Sequence, residues 1–254
     1  MHELRVTTGW APDQGVGQYG RVISFRLLGI PVAVRPAFLV VAAVLGLSAA
    51  SVPLILAWIA VVFVSILLHE MGHALTARAF GSEVQIELNT LGGLTSWTLP
   101  EGDFGPGRRA MVAAAGSGVG VLFGGLVWLF ASLTGPYFGL AGFVVLNLIY
   151  VNVFWGLLNW LPIRILDGGH LFSSLLEKVA PRHAESIANV VFFGTAVAGL
   201  AAALYLRLIY VGLLAAWLLF GELTRGRPRR PQVPIPPMSF DKPPTDSEPE
   251  EGDG

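Results

Sequence analysis

Residues 53–79 read PLILAWIAVVFVSILLHEMGHALTARA. No charged side chain interrupts the run from Pro53 to Leu68, and then His69, Glu70 and His73 follow inside the same stretch. A helix crossing a bilayer needs about 20 mostly apolar residues, so this segment is predicted to span. Ionisable groups inside a span are expensive and mark function by default. On a helix, positions i and i+4 project from one face. Two imidazoles so placed can grip one Zn²⁺ at about 2.0–2.1 Å each. Glu70 sits beside them, able to take a proton from a water whose pKa the metal lowers toward about 7. The pattern His69-Glu70-x-x-His73 is the general signature of metalloproteases.

Composition agrees with a membrane location. Of 254 residues, 54% are hydrophobic and 13% charged, and the mean hydropathy is +0.65. Soluble domains carry about 25% charge, twice the figure here. A formal net charge of -1 offers no case for nucleic acid as a partner. With no cysteine in the chain, disulfides, thiolate zinc ligands and thiol catalysis are excluded. Any metal must be held by His, Asp or Glu.

Working outward from 53–79, five further spans are expected near 36–50, 109–133, 139–161, 187–204 and 208–224, the last two joined by a short interfacial turn around Arg207. The first 20 residues lack an apolar run, so no signal peptide is read there and the N-terminus is expected in the cytosol. Six spans then leave only Arg207, of 16 Lys and Arg, outside the cytosol, as the positive-inside rule requires. Residues 22–35 read as a strand or hairpin, and 84–98 as a second hairpin turning near Gly92 and Gly93. The expected organisation is a cytosolic segment 1–21, a membrane domain 22–225, and a Pro-rich acidic tail 226–254 expected to be disordered and cytosolic. The fold class is an all-α polytopic membrane bundle with short β hairpins at the cytosolic face.

Two histidines leave a catalytic zinc short of a third protein ligand. Acids are scarce in the spans. Asp167, in Asn159-Trp-Leu-Pro-Ile-Arg-Ile-Leu-Asp-Gly-Gly-His170, lies at the cytosolic end of the fourth span, the depth at which His69 and His73 end the second. Pro162 breaks the helix there, and Gly168-Gly169 permit tight backbone turns around the carboxylate. The bland reading of Asp167 is a helix cap; of His170, the same. Beside Glu70, the alternative acid that the spans offer is Glu222, at the far end of the sixth. Arg164, one turn from Asp167, either neutralises it or meets lipid headgroups. Asn147 and Asn152 are expected to hydrogen-bond between helices.

HE-x-x-H in a span, followed about 90 residues later by N-x-x-P-x-x-x-L-D-G-G, resembles the site-2 protease family of intramembrane metalloproteases. The resemblance implies one zinc per chain on His69, His73 and Asp167, with Glu70 as general base and acid. It implies substrate or oxyanion contacts from Asn159 and, through the hairpin beside the active site, from Gly92 and Gly93. The segment 29–34, GIPVAV, resembles the family's opening strand. Ala114-Ala-Gly-Ser-Gly-Val-Gly120 stands where the family often shows A-G-P-x-x-N; Ser117 replaces Pro and Gly120 replaces Asn, while the Gly116-x-x-x-Gly120 spacing suits close helix packing. The resemblance covers roughly residues 22–225.

The expected function is zinc-dependent endoproteolysis of a membrane-embedded protein substrate, a single-span helix in regulated proteolysis signalling, at the cell membrane with both termini cytosolic. The lipid bilayer is the other partner, with a homodimer or a regulator as further candidates. Strand addition of the unwound substrate to residues 90–96 is the capture mode considered. The competing readings are a non-proteolytic zinc-binding scaffold and an ion transporter using the same residues.

Overall fold

The computed structural model describes residues 5–7, 22–49, 51–90, 92–98, 104–207 and, beyond these, 212, 215–216, 219–221 and 223. The tail 226–254 and most of the expected sixth span lie outside the described residues. The chain runs β1 (Arg5–Thr7), β2 (Val22–Leu27), β3 (Ile30–Val34), α1 (Pro36–Leu45), α2 (Val52–Ala79), β4 (Glu83–Asn89), β5 (Gly92–Thr98) and α3 (Pro106–Thr134). It continues through α4 (Gly139–Ile149), a π-helical turn (Tyr150–Trp155), α5 (Gly156–Leu158), α6 (Asp167–Val179) and α7 (Ala184–Tyr205).

Four helical segments are long and apolar enough to cross a membrane: Val52–Ala79, Pro106–Thr134, Gly139–Leu158 and Ala184–Tyr205. Large apolar side chains such as Leu122, Phe130 and Val190 stand exposed on them, a surface suited to lipid rather than water. The expected first span, 36–50, is shorter than read from the sequence. Helix α1 stops at Leu45, and its 10 residues reach only about 15 Å. The chain turns at Gly46, whose Cα lies against the Trp58 indole of α2; a Cβ there would sit 2.6 Å from the ring. Trp58 also donates to the Ala42 carbonyl, so α1 is docked on α2.

Helix starts follow local chemistry. Proline occupies the first or second position of α1, α2 and α3, where its missing N–H costs nothing. Helix α2 ends in a Schellman motif. Gly81 takes φ +89°, Ser82 N–H bonds Ala77 C=O and Gly81 N–H bonds Arg78 C=O. The chain is thereby turned back into β4.

Both expected hairpins form, and they merge into one sheet of order β1-β2-β3-β4-β5. Leu28 and Gly29, with φ of 50° and 78°, make the tight turn between β2 and β3, as primed turns require. The second hairpin pairs Asn89 with Gly92, so Gly92 and Gly93, beside the expected turn, already open β5. The hairpins are fused by a parallel pairing of β3 with β4, Val32 facing Ile86 and Val34 facing Leu88. Helices α1 and α2 form the crossover that a parallel pair needs. The inward faces of these strands, Ile30, Val32, Val34, Ile86 and Leu88, are buried with Phe38 of α1 and Val62, Met71 and Ala74 of α2. The sheet therefore lies along the flank of α2 beside its histidines, not beyond the helix ends. Arg35 clamps the pairing with a two-pronged ion pair to Glu87, at 2.6 and 3.1 Å. The fold is mostly helical, with this sheet as the departure from an all-α bundle.

Candidate metal centre

His69 and His73 stand one turn apart on α2, with rings 4.8 Å between centroids. Asp167 is the first residue of α6, where a carboxylate complements the positive helix end. Its Oδ2 lies 3.0 Å from His69 Nε2 and 3.2 Å from His73 Nε2; the two Nε2 atoms are 3.1 Å apart. Donors at about 2.0–2.1 Å from a tetrahedral zinc are separated by about 3.3 Å. This near-equilateral triangle fits three corners of that tetrahedron and leaves a fourth open. Among the described residues, these three form the group able to hold a metal.

The supporting contacts fit a zinc site as well. His73 Nδ1 lies 2.7 Å from the Val112 carbonyl. A carbonyl only accepts, so Nδ1 carries the proton and Nε2 presents its lone pair to the centre, the arrangement metal-bound imidazoles use. Asn159 donates from Nδ2 to Asp167 Oδ2 at 2.8 Å, and the same nitrogen lies 3.2 Å from His69 Nε2. Ser117, fully buried on α3, donates to Asp167 Oδ2 at 3.4 Å.

The segment carrying Asp167 is fixed by its glycines. A Cβ on Gly168 would lie 2.2 Å from the Leu161 carbonyl oxygen, and one on Gly169 2.3 Å from that of Ile163. Gly168 N–H also bonds the Asn159 carbonyl at 2.7 Å. Only glycine admits this folded-back loop, which brings Asn159 and Asp167 together across eight residues. On the opposite side, Gly72 and Gly116 let α2 and α3 touch. A Cβ on Gly72 would meet the Ala115 carbonyl at 2.6 Å, and one on Gly116 would meet His73 Nε2 at 2.2 Å.

Glu70 is buried at 6% exposure. Thr95 of β5 donates to its Oε2 at 2.7 Å, and the Gly93 Cα is packed against its carboxylate, where a Cβ would fall 2.3 Å from Oε1. The structure thus gathers His69, Glu70, His73, Asp167, Asn159 and Gly93. Gly92 stands apart: a Cβ on it would meet nothing within 4 Å. Arg164 reaches α7, where it bonds Asn189 and stacks over the Phe192 ring at 4.5 Å. His170 is exposed on α6. Asn152 crosses to Ser65 of α2 at 2.7 Å, whereas Asn147 bonds Phe143 within its own helix. Thr95 and Ser117 were not singled out as site residues from the sequence. Their one legible trait is a hydroxyl, Thr95 within the stretch 90–96 read as a capture edge and Ser117 within the stretch 114–120 read as helix packing.

The model of peptidase family M50 matches residues 136–201. A protein of Synechocystis sp. named "Putative zinc metalloprotease" is 33% identical over 168 residues, which is 60% of this chain and 43% of that one. The chain thus spans less than half the length of that relative. The solved structure of the site-2 protease from Methanocaldococcus jannaschii has the same fold, with a TM-score of 0.56 at 22% identity, over 84% of this chain and 98% of the other. The apolar helices and the His-His-Asp triangle thus stand in a chain that shares its fold with a site-2 protease and whose residues 136–201 match the model of peptidase family M50.

Proposed function

We propose that the protein is an intramembrane zinc endopeptidase that hydrolyses a peptide bond in or near a membrane-spanning segment of another protein. The observation that carries this reading is the triangle of His69, His73 and Asp167, with the buried Glu70 carboxylate on the next residue of the same helix. His69, His73 and Asp167 hold one zinc. Bound there, zinc polarises a carbonyl as a Lewis acid and lowers the pKa of water to about 7. Glu70 takes the proton of the attacking water and returns it to the departing amine. Asn159 keeps Asp167 oriented and presents an amide N–H toward the centre. The His73 imidazole is held in the metal-binding tautomer by the Val112 carbonyl.

A substrate helix hides its peptide bonds in internal hydrogen bonds and must unwind to be cut. Among the described residues β5 ends the sheet order, and its outer edge pairs with no strand there. An extended substrate segment adding to residues 90–96 would lie beside Glu70. The substrate is a single-span membrane protein and the role is regulated proteolysis in signalling. The N- and C-termini face the cytosol, as does the end of α2 nearer the histidines. A second copy of the chain or a regulator is the further candidate partner.

The test is cleavage of a panel of single-span substrates by purified protein beside Glu70→Gln, with zinc measured in both. Cleavage by the wild type, zinc in both, and a loss of about 10²–10⁴-fold in Glu70→Gln are expected. Zinc without cleavage of any substrate would favour the non-proteolytic scaffold, and a metal-free wild type would overturn the reading.

A further inference from the structure

Glu70 is gripped by one face of β5. Gly93 and Thr95 alternate along the strand, so both point the same way, and both meet the Glu70 side chain. Thr95 is 8% exposed although it lies on the edge strand, while its neighbours Leu94 and Trp97 are 44% and 40% exposed. Its hydroxyl has two acceptors within reach, Glu70 Oε2 at 2.7 Å and the Glu70 backbone carbonyl at 3.1 Å. A carboxylate on a helix has free torsions that, left loose, scatter its oxygens. Here one oxygen is tied to Thr95 and the other is stopped by the Gly93 backbone.

We propose that Thr95 is a positioning residue for Glu70: its hydroxyl fixes the carboxylate by Oε2, against Gly93, so that the edge strand of the sheet sets the orientation of the base on α2. The inference rests on the proposed proteolytic role of Glu70 for its kinetic consequence, and on the contact itself for its spectroscopic one. A hydrogen bond to a charged group contributes about 1.5–3 kcal/mol. Losing it costs roughly 10- to 100-fold in kcat. KM stays near the wild-type value because the strand's pairing edge is untouched. The purely structural alternative, in which Thr95 merely staples β5 to α2 through the Glu70 carbonyl, moves stability and KM and leaves the carboxylate alone.

The experiment uses the full-length zinc protein and its Thr95→Val, Thr95→Ala and Thr95→Ser variants. Infrared difference spectra against Glu70→Gln identify the carboxylate stretch of Glu70. It is expected to shift in Thr95→Val and Thr95→Ala and to return in Thr95→Ser, with zinc content equal in all. Kinetics should show kcat lowered with KM retained in the first two and rescue by serine. An unshifted band in Thr95→Val overturns the inference whether or not any substrate is cut. A shifted band in a protein that cuts nothing upholds the positioning contact and sinks the protease reading instead.

Discussion

Glycine at 116 is set by what lies across from it. The His73 Nε2 atom occupies the space a Cβ would need, 2.2 Å away, and His73 cannot yield without leaving the triangle. Gly116→Ala is therefore expected to push the imidazole aside and weaken zinc binding by about 10- to 100-fold, the usual cost of disturbing a ligand's support. Zinc titration of the purified variant against a competing chelator checks it, and unchanged affinity would mean that α3 shifts instead. The same logic explains Gly168-Gly169 beside Asp167, where each hydrogen faces a backbone carbonyl. The aspartate's position is then a consequence of a loop that other residues cannot close.

At the scale of elements, the fourth span is broken by its π-helical turn, Tyr150–Trp155. Turns of this kind gather at functional sites. Here the turn contains Asn152, whose carboxamide bonds both Ser65 of α2 and the Leu148 carbonyl of its own helix. Ser65 is one turn before His69, so the bond ties the fourth span to the ligand-bearing helix. Gly124 of α3 admits this turn, since a Cβ there would fall 2.7 Å from the Val153 side chain. Asn152→Ala should lower the stability of the helix bundle by about 0.6–1.7 kcal/mol, the range for hydrogen bonds between membrane helices, while zinc stays bound. Unfolding in mixed micelles reads the first and metal analysis the second.

At the scale of the whole molecule, the basic residues of the described helix ends, Arg207 apart, sort to one end of the bundle. Arg78 closes α2, Arg108 and Arg109 open α3, and Arg164, Lys178 and Arg182 lie between the fourth span and α7, whereas Arg207 follows the other end of α7. Because the chain has no native cysteine, single-cysteine variants report side cleanly. Arg182→Cys is expected to resist an impermeant maleimide on intact cells, and Arg207→Cys to react. The reverse labelling would invert the topology, and equal labelling would show that the charges do not sort it. The expected sixth span enters this topology at its end, with Gly212 near Ala203 and Ala215 near Gly199 as its described contacts with α7.

How much of this was legible follows from the range over which each feature acts. The apolar run with His69, Glu70 and His73 specified a spanning helix and two donors on one face, because helical periodicity is local. The segments 22–35 and 84–98 read as a strand or hairpin and as a hairpin for the same reason. Asp167 was legible because a third donor was missing and few acids were available. The sequence by itself did not determine that the hairpins join, since a parallel pairing between Val32 and Ile86 leaves no periodic trace across the intervening helices. It did not show that α1 stops at Leu45, because Gly46 is dictated by Trp58 of another helix. Nor did it place Thr95 against Glu70, 25 residues away, or Ser117 against Asp167, 50 residues away. A sequence states what each segment must bury or expose. Which side chain it meets there depends on the packing of segments distant in the chain, and only the tertiary structure decides that.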